Sequence, residues 1–421
     1  MPLPKTTLSY LLFFSFPLIA TLKGKGTVLS LILAFFLFNG LQSLKLFFTE
    51  IECKITTSVL LIVGFVFIFL PFSNGKDFFH ALRLILLFIL IFFTLKGIKT
   101  LSLEERRKST KLFFQGFIFY FFFFLVELYG GSWASKLYSK SPGYNENLFI
   151  RGTVILTFLL LPFSFFIQKN YKIKNKALLL GLSFLALCLI LVKAQPSAAR
   201  VAIVVSGICF VATYYRTIYG FLILGLAGIY SLLTPIISLY LLNESTLFNS
   251  LRYLPTSYQH RLQIWYELSK NVLQKPFFGH GFSYASKLTE GPQRYAHYTK
   301  EAFRTACSGD NVLEVIPYTW GGIIYHTDTT LSSHPHSGAL QIWLESGFLG
   351  ITFFLYCLYK LGQYATNQRS LYRGYLYAFF GLYFIYWSIS FGMWQNWIIS
   401  LAGLTFILFQ LINGLPSEKE R

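Results

Sequence analysis

Apolar runs long enough to cross a bilayer recur along most of this chain, and that recurrence limits what it can fold into. A spanning helix needs about 20 largely apolar residues. About twelve stretches reach or approach that length, at 7–22, 27–42, 56–72, 78–95, 112–129, 150–168, 176–192, 198–214, 218–242, 338–359, 374–391 and 394–413. Charged residues make up 13% of the 421 and hydrophobic ones 54%, whereas a soluble domain carries roughly 25% charge. The apolar excess therefore faces lipid, where a helix satisfies its own backbone hydrogen bonds. The expected fold is all-α, a polytopic membrane protein with about 12 transmembrane helices and one large periplasmic loop containing short helices. Lys5 and the run after it look like a signal peptide, but no small-x-small site closes that run, so it is read as a span.

Basic residues in short loops orient such a protein. With the N-terminus inside, about nineteen Lys and Arg fall in inner segments, including Arg106, Arg107, Lys169, Lys174 and Arg373, against about seven in short outer loops. Both termini are then expected in the cytoplasm. The net charge of +19 is thus mostly topological and faces an acidic inner leaflet. A nucleic-acid partner is not expected, because no soluble module interleaves the charge with stacking aromatics.

Three regions follow: spans 1–9 over 1–242, an outer loop over 243–337, and spans 10–12 with a short tail over 338–421. The loop is close to charge balance and rich in aromatic residues, which favours order over disorder. Within it, 258–274 reads as an amphipathic helix lying along the membrane surface, with Leu262, Ile264, Trp265, Leu268, Val272 and Leu273 at near-helical spacing. Pro276 ends it and Gly279-His280-Gly281 makes a tight turn. Five cysteines are scattered without a CxxC or Cys/His cluster, so neither a zinc site nor an intrachain disulfide is expected.

Ionisable residues near spans collect at the outer face. Arg83 lies about 7–8 Å into the fourth span; Glu127, Arg151 and Arg200 lie at outer ends, and His334 and His336 open the tenth. Any one of these arginines can snorkel to the headgroups. As a set they describe a polar cavity. Several guanidinium forks with few carboxylates suit a multiply charged anion such as a phosphate, and apolar helices around them suit a hydrocarbon tail. A lipid-linked pyrophosphate combines both. A histidine in the same layer can take a proton from a hydroxyl, so group transfer from a lipid pyrophosphate to an alcohol is the expected chemistry, with the arginines stabilising the departing charge.

The stretch HPHSGALQIWLESGFLG contains His336-Ser337, nine residues, then Gly347-x-x-Gly350. It resembles the His-[Asn/Ser/Gln]-x9-Gly-x-x-Gly signature of the O-antigen ligase family. HRLQIWYELSKNVLQKPFFGHGF resembles that family's Arg-x-x-x-Trp…Pro-x-x-Gly-x-Gly loop segment, and PSAARVAIVV resembles its Ser-Arg segment, although Ala199 stands where Ser is common. Twelve spans with the long loop between nine and ten also match.

The resemblance implies a metal-independent, inverting glycosyltransferase without a cofactor, multi-pass in the bacterial inner membrane, with its active site facing the periplasm. Its partners would be membrane lipids, an undecaprenyl-pyrophosphate-linked glycan donor and a lipid A core acceptor. His336 would be the general base, and Arg261 and Arg200 would contact the pyrophosphate. Arg83 and Arg151 rest on the depth argument alone, and His334 remains a substrate-binding candidate and the alternative base. O-antigen polymerase and protein O-oligosaccharyltransferase share the motif family, although the short C-terminal tail weighs against the second. A lipid or solute transporter is the reading from another class, but no internal repeat supports it. Glu345 is expected to serve packing, too far from His336 for a direct pair, and Gly347 and Gly350 to permit close helix approach.

Overall fold

The computed structural model of the chain describes residues 17, 21, 26–38, 40, 42–43, 75–130, 146–170, 190–191, 197–241, 256–287, 318–320, 323–325, 335–392 and 394–416. In chain order these form α1 (Gly26–Leu37), α2 (Gly75–Lys99), α3 (Leu103–Tyr129), α4 (Glu146–Asn170), α5 (Ser197–Tyr215), α6 (Ile218–Leu241), α7 (Thr256–Gln274) and α8 (Tyr284–Lys287). A strand pair follows, β1 (Tyr318–Trp320) and β2 (Ile323–Tyr325), and then α9 (Gly338–Thr366), α10 (Ser370–Ile389) and α11 (Asn396–Asn413).

Among the described residues seven helices are long and apolar enough to cross a membrane: α2, α3, α4, α5, α6, α9 and α11. This is the make-up of a polytopic membrane protein, but the span count is seven rather than about twelve. The difference has three sources. The expected spans at 7–22, 56–72 and 176–192 fall almost wholly outside the described residues. The one at 27–42 appears as α1, which at 12 residues is too short to cross. The one at 374–391 appears as α10, long enough but carrying Tyr372, Tyr375, Tyr377, Tyr383, Tyr386 and Arg373. The loop also holds more than short helices, since β1 and β2 pair antiparallel with Tyr318 opposite Tyr325.

Helix α11 packs against α1, α2 and α4, while α10 lies along α5 and α9 lies along α6. Small residues set the closest approach. A Cβ on Gly374 would sit 3.0 Å from the Phe210 ring, and one on Gly381 would sit 2.8 Å from Cys209 Sγ. Aromatic rings fill the interior, where Phe165 meets Tyr372, Tyr375 and Phe409. Buried hydroxyls turn back on their own helices, Thr153 to the Phe149 carbonyl and Thr213 to the Cys209 carbonyl, so they need no water. Outward-facing Val126, Val204, Leu226 and Ile236 are each more than half exposed, as expected where the solvent is hydrocarbon.

Candidate active site

His336 sits on the residue before a helix cap. Ser337 is the N-cap of α9, extended at φ −148 and ψ 112, and its hydroxyl accepts from the Leu340 N–H. His336 itself is left-handed at φ 53, a conformation that costs a non-glycine residue about 1–2 kcal/mol. Three ties hold it. The Trp265 indole donates to the Pro335 carbonyl at 3.1 Å, Ser337 caps the helix that follows, and the imidazole turns onto the end of α10. There His336 Nδ1 lies 2.9 Å from the Ser390 carbonyl oxygen. A carbonyl only accepts, so Nδ1 carries a hydrogen, and in the neutral ring the lone pair is on Nε2. That is the tautomer a general base acting through Nε2 requires.

The loop helix α7 has the amphipathic face the sequence predicts. Ile264, Leu268 and Val272 form one buried cluster with Leu344 of α9, although Leu273 is exposed. Beyond Gln274 the chain turns into α9 and interrupts it. Gly347 has φ 62 and ψ −152 inside what would be a continuous helix. The Leu344 carbonyl accepts from His280 N–H at 2.7 Å and the Glu345 carbonyl from Gly281 N–H at 2.9 Å. In exchange, Phe348 N–H donates to the Pro276 carbonyl at 2.7 Å and Leu349 N–H to the Phe277 carbonyl at 3.3 Å. Two rungs of the helix are thus handed to the loop. A Cβ on Gly347 would fall 2.5 Å from Phe277 C, and one on Gly279 would fall 2.4 Å from Glu345 C. Both glycines also have positive φ. The expected helix–helix approach at Gly347 is corrected: the close partner is loop backbone. Gly350 faces Ser346 and Ile342 of its own helix.

The connection 390–395 closes the site from the other side. The Trp394 indole donates to Glu345 Oε2, and Gln341 Nε2 donates to Glu345 Oε1 at 3.0 Å. His80 Nε2 donates to the Trp394 carbonyl at 3.1 Å, tying α2 to the same turn. Glu345 is therefore not a packing residue: it is buried and accepts two side-chain hydrogen bonds.

The arginines arrive from separate helices. Arg261 is half-buried and lies one turn before Trp265 on the same face of α7, the face whose indole reaches the Pro335 carbonyl. Helix α5 runs alongside α10, with Phe210 beside Gly374 and Val205 beside Gly381, so Arg200, near the start of α5, lies toward the C-terminal end of α10. Arg200 is exposed and gives one N–H to the Leu191 carbonyl at 3.0 Å. Arg151 lies about 9 Å up α4 from Thr157, whose hydroxyl meets the Tyr386 hydroxyl at 3.0 Å. Arg83 is exposed on α2, one turn beyond His80. His334 lies outside the described residues. Of the expected residues, His336 is placed against the end of α10 and Arg261 on the α7 face that carries Trp265, while Arg200 and Arg151 lie near the starts of α5 and α4 and Arg83 is exposed on α2. An apolar cavity of about 330 Å³ runs between α6 and α9, lined in part by Leu224, Gly228, Leu232, Leu355 and Leu358. Leu232 also packs on the Ala339–Trp387 cluster under the start of α9.

Ser390, Trp394, Glu345 and His80 were not among the expected site residues. Ser390 acts through a backbone carbonyl, which any side chain supplies, and the other three are joined only by tertiary contacts.

The scaffold is that of a polytopic membrane protein, with His336 at the start of α9 held against the end of α10. Its relatives carry a consistent description. A Rickettsia conorii (strain ATCC VR-613 / Malish 7) protein named "Putative polysaccharide ligase" is 24% identical over 329 residues, 77% of this chain and 72% of that protein. One from Rickettsia bellii (strain RML369-C) with the same description is 28% identical over 314 residues, covering 73% of this chain and 68% of that protein. A third, from Rickettsia prowazekii (strain Madrid E), is 32% identical over 212 residues, 49% of this chain and 45% of its own length. No family model matches the chain.

Proposed function

We propose that this protein is an O-antigen ligase, transferring a polysaccharide from undecaprenyl pyrophosphate to a sugar hydroxyl of a lipid A core at the periplasmic face of the bacterial inner membrane. The observation that carries the reading is the hydrogen bond from His336 Nδ1–H to the Ser390 carbonyl, which leaves Nε2 as the basic nitrogen; Arg261, Arg200 and Arg151 are assigned to the same layer. The likeness to proteins named as polysaccharide ligases supports a ligase or glycosyl-transfer role. In this reading the acceptor hydroxyl attacks the anomeric carbon as His336 Nε2 takes its proton. The carbon–oxygen bond to pyrophosphate breaks, and undecaprenyl pyrophosphate leaves with its charge held by the arginines. Direct displacement inverts the anomeric carbon. Charge stabilisation is assigned to the arginines, without a metal, and both termini to the cytoplasm. The apolar cavity beside Leu232 suits the donor's hydrocarbon chain.

The test is reconstitution in vesicles with a lipid-pyrophosphate glycan and either lipid A core or a second glycan lipid. Transfer to the core identifies a ligase. Chain lengthening on the second lipid identifies a polymerase, and transfer to neither overturns the proposal.

A further inference from the structure

We infer that Glu345 is a positioning residue for His336, acting through Trp394 and the connection 390–395 that supplies the Ser390 carbonyl. The inference rests on His336 being the base, and it deepens that reading. Glu345 follows His336 by nine residues, about 13 Å along the helix, so it does not touch the reacting atoms. Its two carboxylate oxygens have separate work. Oε1 accepts from Gln341 one turn earlier, which fixes the carboxylate on its own helix. Oε2 accepts from the Trp394 indole, and Trp394 is held further by its ring contact with Phe282 at 5.7 Å and by His80 on its carbonyl. Ser390 lies four residues before Trp394 in the same connection, and its carbonyl takes the His336 Nδ1–H at 2.9 Å. The backbone carbonyl of Glu345 also receives Gly281 N–H, so this one residue joins α9, the loop after α7, and the turn that sets the imidazole. A packing residue would need no acceptor here, and burying a carboxylate is costly unless its hydrogen bonds are used.

The test compares E345A, E345Q and W394F in the full-length protein. A glutamine can accept from Trp394 through its amide oxygen and donate to the oxygen of a flipped Gln341 amide, so E345Q preserves the link. W394F keeps a ring against Phe282 while removing the donor. The first readout is the His336 tautomer, from ¹⁵N-histidine NMR on the alkaline side of the histidine range, with the His336→Gln variant identifying the signal. The second is kcat against donor KM. The wild type and E345Q are expected to show the Nδ1–H tautomer. E345A and W394F are expected to show mixed tautomers, with kcat lower by about tenfold to a hundredfold and donor KM changed by less than about twofold. An unchanged tautomer in W394F, or E345Q as impaired as E345A, overturns the inference. If E345A does not fold, W394F and E345Q still decide it. The tautomer needs no turnover, so a wild-type protein without transfer activity sinks the proposed function while this measurement stands apart.

Discussion

The two ends of the helical bundle close their backbones with different chemistry. Away from His336, cations cap helix C-termini. Arg106 donates to the Ile98 carbonyl at the end of α2. Lys169 donates to the Ile412 and Asn413 carbonyls at the end of α11, and Arg373 to the Thr213 carbonyl at the end of α5. Positive charge at the negative end of a helix dipole is stabilising in itself. At the His336 end, among the described residues, ring N–H groups do most of the corresponding work, with Arg200 on the Leu191 carbonyl an exception. Trp265 takes Pro335, His336 takes Ser390, His80 takes Trp394, and His280 takes the Asn271 carbonyl. An indole N–H can hold a scaffold without cancelling an anion's field. If the outer arginines serve a ligand, as proposed, the difference teaches how basic residues divide between binding at one end and stapling helices at the other.

The largest effect that could break this contrast is at His336. His336→Ala should lower transfer by about 10²–10⁴-fold, the usual contribution of a general base, with the protein still folded in detergent. Transfer at the wild-type rate would remove the base from this end altogether. Next comes Gly347→Ala, which places a Cβ against Phe277 backbone at a positive φ. It should cost about 2–4 kcal/mol of stability, read as a fall in the unfolding midpoint. A variant as stable as wild type would show that the two rungs exchanged with the loop are not a fixed feature.

Much of the scaffold was legible because bilayer thickness dictates element length. The apolar run at 218–242 became α6 at Ile218–Leu241, and 150–168 became the core of α4. Helix α7 was legible for another reason: its apolar spacing and Pro276 are both local signals. What stayed hidden depends on distant partners. Nothing in the apolar pattern of 338–359 marks a break at Gly347, since the groups that replace its helical rungs are loop backbone from 276–281. The Ser390 carbonyl has no side-chain signature. Glu345 was read as packing because its partner, Trp394, lies across a later helix. The tyrosines of α10 are plain in the sequence, but apolar run length alone does not register their polarity.

Arg151→Ala and Arg200→Ala sharpen the comparison further. If these residues serve the donor's pyrophosphate, losing one charged hydrogen bond should raise donor KM by about tenfold to a hundredfold, with stability within about 0.5 kcal/mol of wild type. The reverse pattern, stability lost and KM intact, would make them staples like their counterparts at the other end.

The smallest effect tests that other end directly. Lys169→Met keeps an unbranched side chain but removes the ammonium that bridges Ile412 and Asn413. Interactions of a cation with a helix C-terminus are worth about 0.3–1 kcal/mol, and up to about 2 when partly buried; Lys169 is half-buried, which puts the loss at about 1 kcal/mol. The unfolding midpoint should fall by a few degrees, as about 1 kcal/mol does in chains of this order of size, and transfer at a temperature where the variant is folded should match wild type. A loss of transfer without a loss of stability would mean that this end also meets substrate, and the division between stapling and binding cations would fail at its simplest case.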